Sequence, residues 1–239
     1  MQRGRDEKPP FTILSPKQNL WSRRMIKGAP FLEILDTVKS IAFYQKTYSI
    51  ERGIRGFIFH GDVGIGKTTV AKAVACELGI PLIFVDGSDI ARPYYGQSEM
   101  QIDQVFNEAT KLGFAEVLID DCESVFPTRD WVKGESWHIA QNNVFFHCLD
   151  EVNTSKTVVI LTTNRYDLLD RAIKDRLYSI EFPLPSISAL EDIARAKCND
   201  LHLEQDAILA EVKEGRFRTV RDLEKRVVET YVEKVKRMG

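Results

Sequence analysis

The sequence predicts an α/β fold: a five-stranded parallel sheet with flanking helices, followed by a small all-helical domain. Three observations carry that prediction. Short, nearly continuous apolar runs alternate with helical periodicity as far as residue 184, the pattern of buried parallel strands joined by helices. A glycine-rich turn, Gly61-Asp62-Val63-Gly64-Ile65-Gly66-Lys67-Thr68, separates the first apolar run from the helix that follows it. Beyond Pro185 every periodic stretch is helical.

The elements are expected in this order. Residues 1 to about 15 are polar and proline-containing and read as loose, part of an N-terminal segment 1–29. Phe31, Leu32, Ile34, Leu35, Val38, Ile41 and Ala42 share one helical face between residues 30 and 48. Phe57–His60 is the first strand, and the helix after the glycine turn closes at Gly79, a C-cap. Pro81–Val85 is the second strand. Gln97–Lys111 is helical, Glu116–Ile119 is the third strand, and Trp137–Val152 is helical. Thr157–Thr162 is the fourth strand and Tyr178–Phe182 a short fifth, stopped by Pro183 and Pro185. Ala189–Cys198, Gln205–Lys213 and Val220–Met238 are helices. The division is therefore 1–29, an α/β unit over 30–184 and a helical unit over 185–239.

Composition bounds the rest. The 239 residues suit one large domain, or one plus a small appendage, and 44% apolar with 28% charged residues is ordinary for a soluble globular protein. A formal net charge of −2 gives no global reason to bind nucleic acid. The first segment is locally basic (Arg3, Arg5, Lys8, Lys17, Arg23, Arg24, Lys27) and reads as a solvated tail. Four scattered cysteines without a Cys-x-x-Cys argue for a reducing compartment, here the cytoplasm, and against a zinc or disulfide framework. No apolar run reaches the length of a membrane span.

The chemistry starts at the glycine turn. Strand, Gly-x-x-x-x-Gly-Lys-Thr and helix in that order form a phosphate-binding loop. Gly61, Gly64 and Gly66 allow sharp turning with no Cβ in the way, so that successive backbone N–H groups face one anion. The helix beginning near Lys67 adds its positive end. Lys67 offers a point charge to the outer phosphates, and the Thr68 hydroxyl suits Mg²⁺. Asp62, Val63, Ile65 and Thr69 complete the nucleotide-binding stretch. Downstream, Val117-Leu118-Ile119-Asp120-Asp121 ends a strand in two carboxylates. Asp120 suits Mg²⁺ through water, and Asp121 suits orienting or deprotonating an attacking water.

These residues also carry a family resemblance. Ile119–Arg129 (IDDCESVFPTR) resembles the segment IDEIDALFPSR of AAA+ ATPases, and Thr162–Asp170 (TTNRYDLLD) resembles their ATNRPDLLD. Asp170–Arg176 resembles the segment carrying the arginine finger, and Ile180–Pro185 is similar to the strand leading into the helical lid. The resemblance covers about Ile54 to Val232. It implies a P-loop NTPase fold, ATP and Mg²⁺, and a homo-oligomer, usually a hexamer. It makes Asn164 the sensor-1 residue. Arg176 becomes the finger reaching a neighbour's site, with Arg171 and Arg165 as nearby alternatives. Arg221 matches a sensor-2 arginine, and is otherwise an exposed arginine at a helix start. Pro93-Tyr94-Tyr95-Gly96-Gln97-Ser98-Glu99 is similar to the pore-loop segment KYVGESE of the protein-remodelling branch, where an aromatic grips an extended polypeptide.

Two departures stand out. Asp62 places a carboxylate beside a phosphate site. Asp121 occupies the position of the family's catalytic glutamate, roughly an ångström short, and misplacement on that scale can cost about 10²-fold. Three functions are therefore expected in turn: an oligomeric ATPase remodelling a protein substrate, directly or through an adaptor; a nucleic-acid-side loader or initiator relative, for which no reading module is recognisable; and an ATP-binding scaffold subunit with weak hydrolysis.

Overall fold

The computed structural model describes residues 9–90, 97–128 and 136–238. Along the chain run β1 (Thr12–Leu14), α1 (Ala29–Thr47), β2 (Gly56–His60), α2 (Lys67–Leu78), β3 (Leu82–Asp86), α3 (Gly87–Ile90), α4 (Gln97–Leu112) and β4 (Ala115–Asp120). They continue with α5 (Ser136–Glu151), β5 (Thr157–Thr163), α6 (Arg171–Arg176), β6 (Tyr178–Glu181), α7 (Ile187–Asp200), α8 (Asp206–Lys213) and α9 (Val220–Met238).

The sheet order is β1-β3-β4-β5-β2-β6. The five expected strands are β2 to β6, and every pairing among them is parallel. Their faces read as near-continuous apolar runs because helices cover both sides. On one face Ile58, Ile83, Val117, Ile119, Val159 and Leu161 pack under α4 and α5. On the other Phe57, Phe59, Leu82, Leu118, Val158 and Ile160 pack under α1 and α2.

A sixth strand was not expected. β1 runs antiparallel to β3, with Thr12 opposite Phe84 and Leu14 opposite Leu82. It covers the free backbone of an edge strand, which an isolated three-residue segment cannot signal in advance. The reading of residues 1 to about 15 as loose is therefore corrected for Thr12–Leu14, and that of the basic residues as a solvated tail is corrected at Arg23. Asn19 is buried and donates to Lys72 O at 2.9 Å. The Arg23 guanidinium forks onto Asp36, and its backbone N–H donates to Glu77 Oε1 at 3.1 Å. Partners on α1 and α2 hold what composition alone assigns to solvent.

The last three helices enclose a small core of their own. Leu190, Ile193, Ala194 and Cys198 of α7 meet Ile208, Leu209 and Val212 of α8 and Leu223 and Val227 of α9. Ser186 caps α7 by accepting from Ala189 N–H at 3.2 Å. No helix among the described residues is long and apolar enough to cross a membrane.

Candidate active site

Strand order builds the site. β5 lies between β4 and β2, so the carboxyl ends of all three meet on one edge of the sheet. The phosphate loop follows β2, the acid pair ends β4, and Asn164 follows β5. Asn164 therefore stands between the lysine and the carboxylates.

Lys67 opens α2 and is nearly buried. Its Nζ donates to Gly61 O at 2.9 Å, Asp62 O at 2.7 Å and Asn164 Oδ1 at 2.7 Å. Burial lowers its pKa, opposed by the charges of Asp121, Glu123, Asp120 and Asp62. The other end of the Asn164 amide donates from Nδ2 to Asp121 Oδ1 at 2.8 Å. One amide thus bridges an ammonium and a carboxylate, and its backbone N–H donates to Glu123 Oε1 at 3.2 Å.

The Thr68 hydroxyl donates to Asp120 Oδ1 at 2.7 Å, and the Thr162 hydroxyl donates to the same oxygen. Thr162 Oγ1 also accepts the Asp121 N–H at 3.2 Å. Asp121 sits in the left-handed region, φ 49°. Its pKa is raised, first by lost hydration, then by Asp120, Glu123 and Asp86, against the pull of Lys67.

The loop backbone turns at Gly61, Gly64 and Gly66, all at positive φ. Among the described residues, chain neighbours apart, no heavy atom lies within 4 Å of where a Cβ on Gly66 would stand, and Gly66 lines an open cleft. At Gly64 an added Cβ would meet Arg221 Cβ at 2.6 Å, because α9 starts directly on the loop. Arg221 N–H donates to Gly64 O at 3.1 Å, and Arg218 Nη2 lies 2.7 Å from Asp62 Oδ2. The carboxylate that looked misplaced beside a phosphate site is paired with an arginine of the helical unit. Val63 is half exposed, whereas the Ile65 side chain is buried in the core under α1 and α2.

A cleft of about 220 Å³ is lined by Gly64, Lys67, Thr68, Asp121, Asn164 and Arg221 among others. A second cavity of about 440 Å³ shares Gly66, Thr69, Val220 and Glu224 with it. Trp21, Met25, Ile26, Ile65, Val70 and Ile193 supply its apolar wall. The residues present fit a nucleotide with Mg²⁺. The loop mouth is open, an ammonium stands inside it, and a hydroxyl and a carboxylate offer the hard oxygens that Mg²⁺ takes.

Arg176 is not in this cleft. It ends α6, binds both oxygens of Asp150 at 3.3 Å and packs its guanidinium 4.8 Å from the Phe146 ring centre. It precedes β6, on the edge of the sheet where the strands begin. Arg171 and Arg165 are exposed, the latter paired with Asp167 at 2.9 Å. Tyr94, Tyr95 and Gly96 lie outside the described residues.

Sequence reasoning missed Thr162, Arg218 and the 21–27 stretch. A hydroxyl at the end of the strand beside Asp120 is a usable signal for Thr162. Arg218 carries none, since its partner is 156 residues away.

A family described as "ATPase family associated with various cellular activities (AAA)" matches residues 57–184, more than half of the chain. An uncharacterised AAA-domain protein of Schizosaccharomyces pombe is 37% identical over 164 residues, 64% of this chain and 20% of that protein. The cell division cycle protein 48 homologue of Archaeoglobus fulgidus is 32% identical over 167 residues, 67% of this chain and 22% of its own length. The 26S proteasome regulatory subunit 8 homologue of Saccharomyces cerevisiae is 31% identical over 168 residues, 67% and 41% respectively. The matches thus span a fifth to two fifths of those relatives. With a phosphate loop, paired carboxylates and a bridging asparagine on one sheet edge, this chain belongs to the AAA family of ATPases.

Proposed function

We propose that this chain is the ATPase unit of an oligomer, a hexamer by its resemblance, that couples ATP hydrolysis to remodelling or threading of a protein. The observation that carries the hydrolytic reading is Asn164 bonded to both Lys67 and Asp121, beside the Thr68–Asp120 pair. ATP with Mg²⁺ supplies the phosphoryl group and the cation that offsets its charge. Lys67 would exchange loop carbonyls for phosphate oxygens, and Thr68 with Asp120 would hold Mg²⁺. Asp121 would take a proton from the attacking water while Asn164 orients it. The 440 Å³ cavity suits the base, walled by residues 21–27 and by α7. Residues 30–184 would form the nucleotide unit and 185–239 its lid, with Arg221 on the lid near the phosphates.

Arg176 precedes β6 and pairs with Asp150, whereas the cleft lies at the carboxyl ends of β2, β4 and β5, which favours action on a neighbouring copy. The yeast relative is by name a regulatory subunit of a proteasome, which favours a protein substrate. Four unpaired cysteines agree with a cytoplasmic setting. A second reading, a nucleotide-holding subunit with slow turnover, is favoured by the short reach of Asp121 and its bond to Asn164.

The test is hydrolysis per subunit against protein concentration. The expected rate rises steeply and then saturates, and Arg176→Ala lowers the plateau by about 10³-fold or more. A flat rate from a chain that sizing shows to be monomeric throughout overturns the oligomeric reading. ATP binding without turnover at any concentration favours the holding subunit. Tyr94→Ala should keep basal hydrolysis and lose work on a protein substrate; retained remodelling sinks the pore.

A further inference from the structure

We propose that Glu123 is a positioning residue for hydrolysis: by holding the backbone of Asn164 it sets where that side chain meets Lys67 and Asp121. The inference rests on the ATPase reading above and assigns a role to a residue outside the loop, the acid pair and the sensor.

Glu123 lies in the short 3-10 turn Cys122–Ser124 that follows β4. The turn is firmly seated. Cys122 is fully buried in the core, and its carbonyl accepts from both Val125 and Phe126 N–H at 3.0 Å. From this base the carboxylate reaches across to the end of β5. Oε1 accepts Asn164 N–H at 3.2 Å, while Oε2 is buried with no hydrogen-bond partner among the described residues. An unpartnered buried carboxylate oxygen is costly, and natural sequences rarely keep one without a use. The nearby guanidinium of Arg165 does not relieve it; that group forks onto Asp167 at 3.1 and 2.9 Å.

The position of Asn164 is what the carboxylate secures. β5 ends at Thr163, so Asn164 has left the ladder that aligns the strand. Its side chain is spanned between Lys67 and Asp121, both of which must change partners when a nucleotide binds. The bond from Glu123 to its backbone engages neither of those groups and survives that exchange. Asp121 reaches less far than a glutamate would, which leaves little tolerance for a displaced Asn164. Displacement by about 1 Å can cost on the order of 10²-fold in rate.

The test separates positioning from base catalysis and from bulk stability. In the full chain, Glu123→Ala should lower kcat about 10- to 100-fold while the affinity for a fluorescent methylanthraniloyl-ADP with Mg²⁺ stays within about threefold. Glu123→Gln keeps an oxygen that can accept from Asn164 N–H and should retain most of kcat. Because both residues act through one bond, adding Glu123→Ala to Asn164→Ala should cost little beyond Asn164→Ala alone. If Glu123→Ala fails to fold, Glu123→Asp replaces it, its shorter side chain falling short of Asn164. Wild-type kcat in the Ala or Asp variant overturns the proposal. So does a Gln variant as slow as Ala, which would make Glu123 a base, or losses that multiply with Asn164→Ala. An Asn164→Ala variant with unchanged kcat would instead sink the underlying reading of the site.

Discussion

Arg218 Nη2 stands 2.7 Å from Asp62 Oδ2 and ties the helical unit to the phosphate loop across 156 residues of sequence. Both side chains are more than half exposed, at 71% and 51%, so the pair is screened by solvent. A pair of that kind contributes about 1 kcal/mol at most, or roughly fivefold in a rate. Arg218→Ala should therefore speed release of methylanthraniloyl-ADP by up to about fivefold at low salt, with the difference fading at high salt. Stopped-flow fluorescence reads this directly. Identical release rates at low salt would mean that the pair does not hold the helical unit against the loop.

Gly64→Ala and Gly66→Ala should differ. Both glycines have positive φ, 77° and 102°, so either alanine is strained by about 1–3 kcal/mol. Of the two, the new Cβ collides at Gly64, 2.6 Å from Arg221 Cβ, whereas among the described residues beyond its chain neighbours nothing lies within 4 Å at Gly66. Thermal unfolding without nucleotide should show the larger loss for Gly64→Ala. Equal losses would mean that α9 yields freely.

Asp121→Asn should keep ATP bound and lower kcat by about 10²-fold or more, the scale of a lost general base. Asparagine tolerates the left-handed φ of 49° at this position, so the fold should survive. Single-turnover kinetics alongside a binding assay would separate the two effects. Normal turnover would move the role away from Asp121.

Glu116→Gln isolates an ionisation inside the sheet. Glu116 lies in β4 with no exposure, and among the described residues neither carboxyl oxygen has a well-formed hydrogen bond. Burial raises its pKa well above the ordinary 4.5, opposed only in part by the backbone of Ala75. A raised folded-state pKa means that the neutral form is the one folded. The group's contribution to stability is complete below about pH 4.5 and is lost as pH climbs towards the folded-state value. The melting temperature of the Gln variant relative to the native chain should therefore rise from pH 4.5 to pH 8. A difference that does not change with pH would show that Glu116 never ionises differently on folding.

Much of the site was legible because it is local. Gly61 to Thr68 turns from β2 into α2 on its own glycines, and Asp120 and Asp121 close a strand whose apolar run is visible in the chain. The α7–α9 helices were legible from periodicity. β1 was not, since three residues become a strand only when the edge of β3 is present to pair with. The cavity wall at Trp21, Met25 and Ile26 was hidden in the same way, behind a basic composition that suggests solvent.

The amino-acid sequence by itself determined which groups exist for the chemistry: an ammonium and a hydroxyl on a glycine loop, two carboxylates ending a strand, and an asparagine ending another. Each follows from short-range backbone preference and period. The tertiary structure alone decided that β5 separates β2 from β4 and so puts Asn164 between Lys67 and Asp121, that Arg218 answers Asp62, and that Glu123 reaches Asn164. Those relationships depend on strand order and on packing between distant segments. Hydrophobic burial drives that packing without direction, so no local pattern records which distant partners will meet.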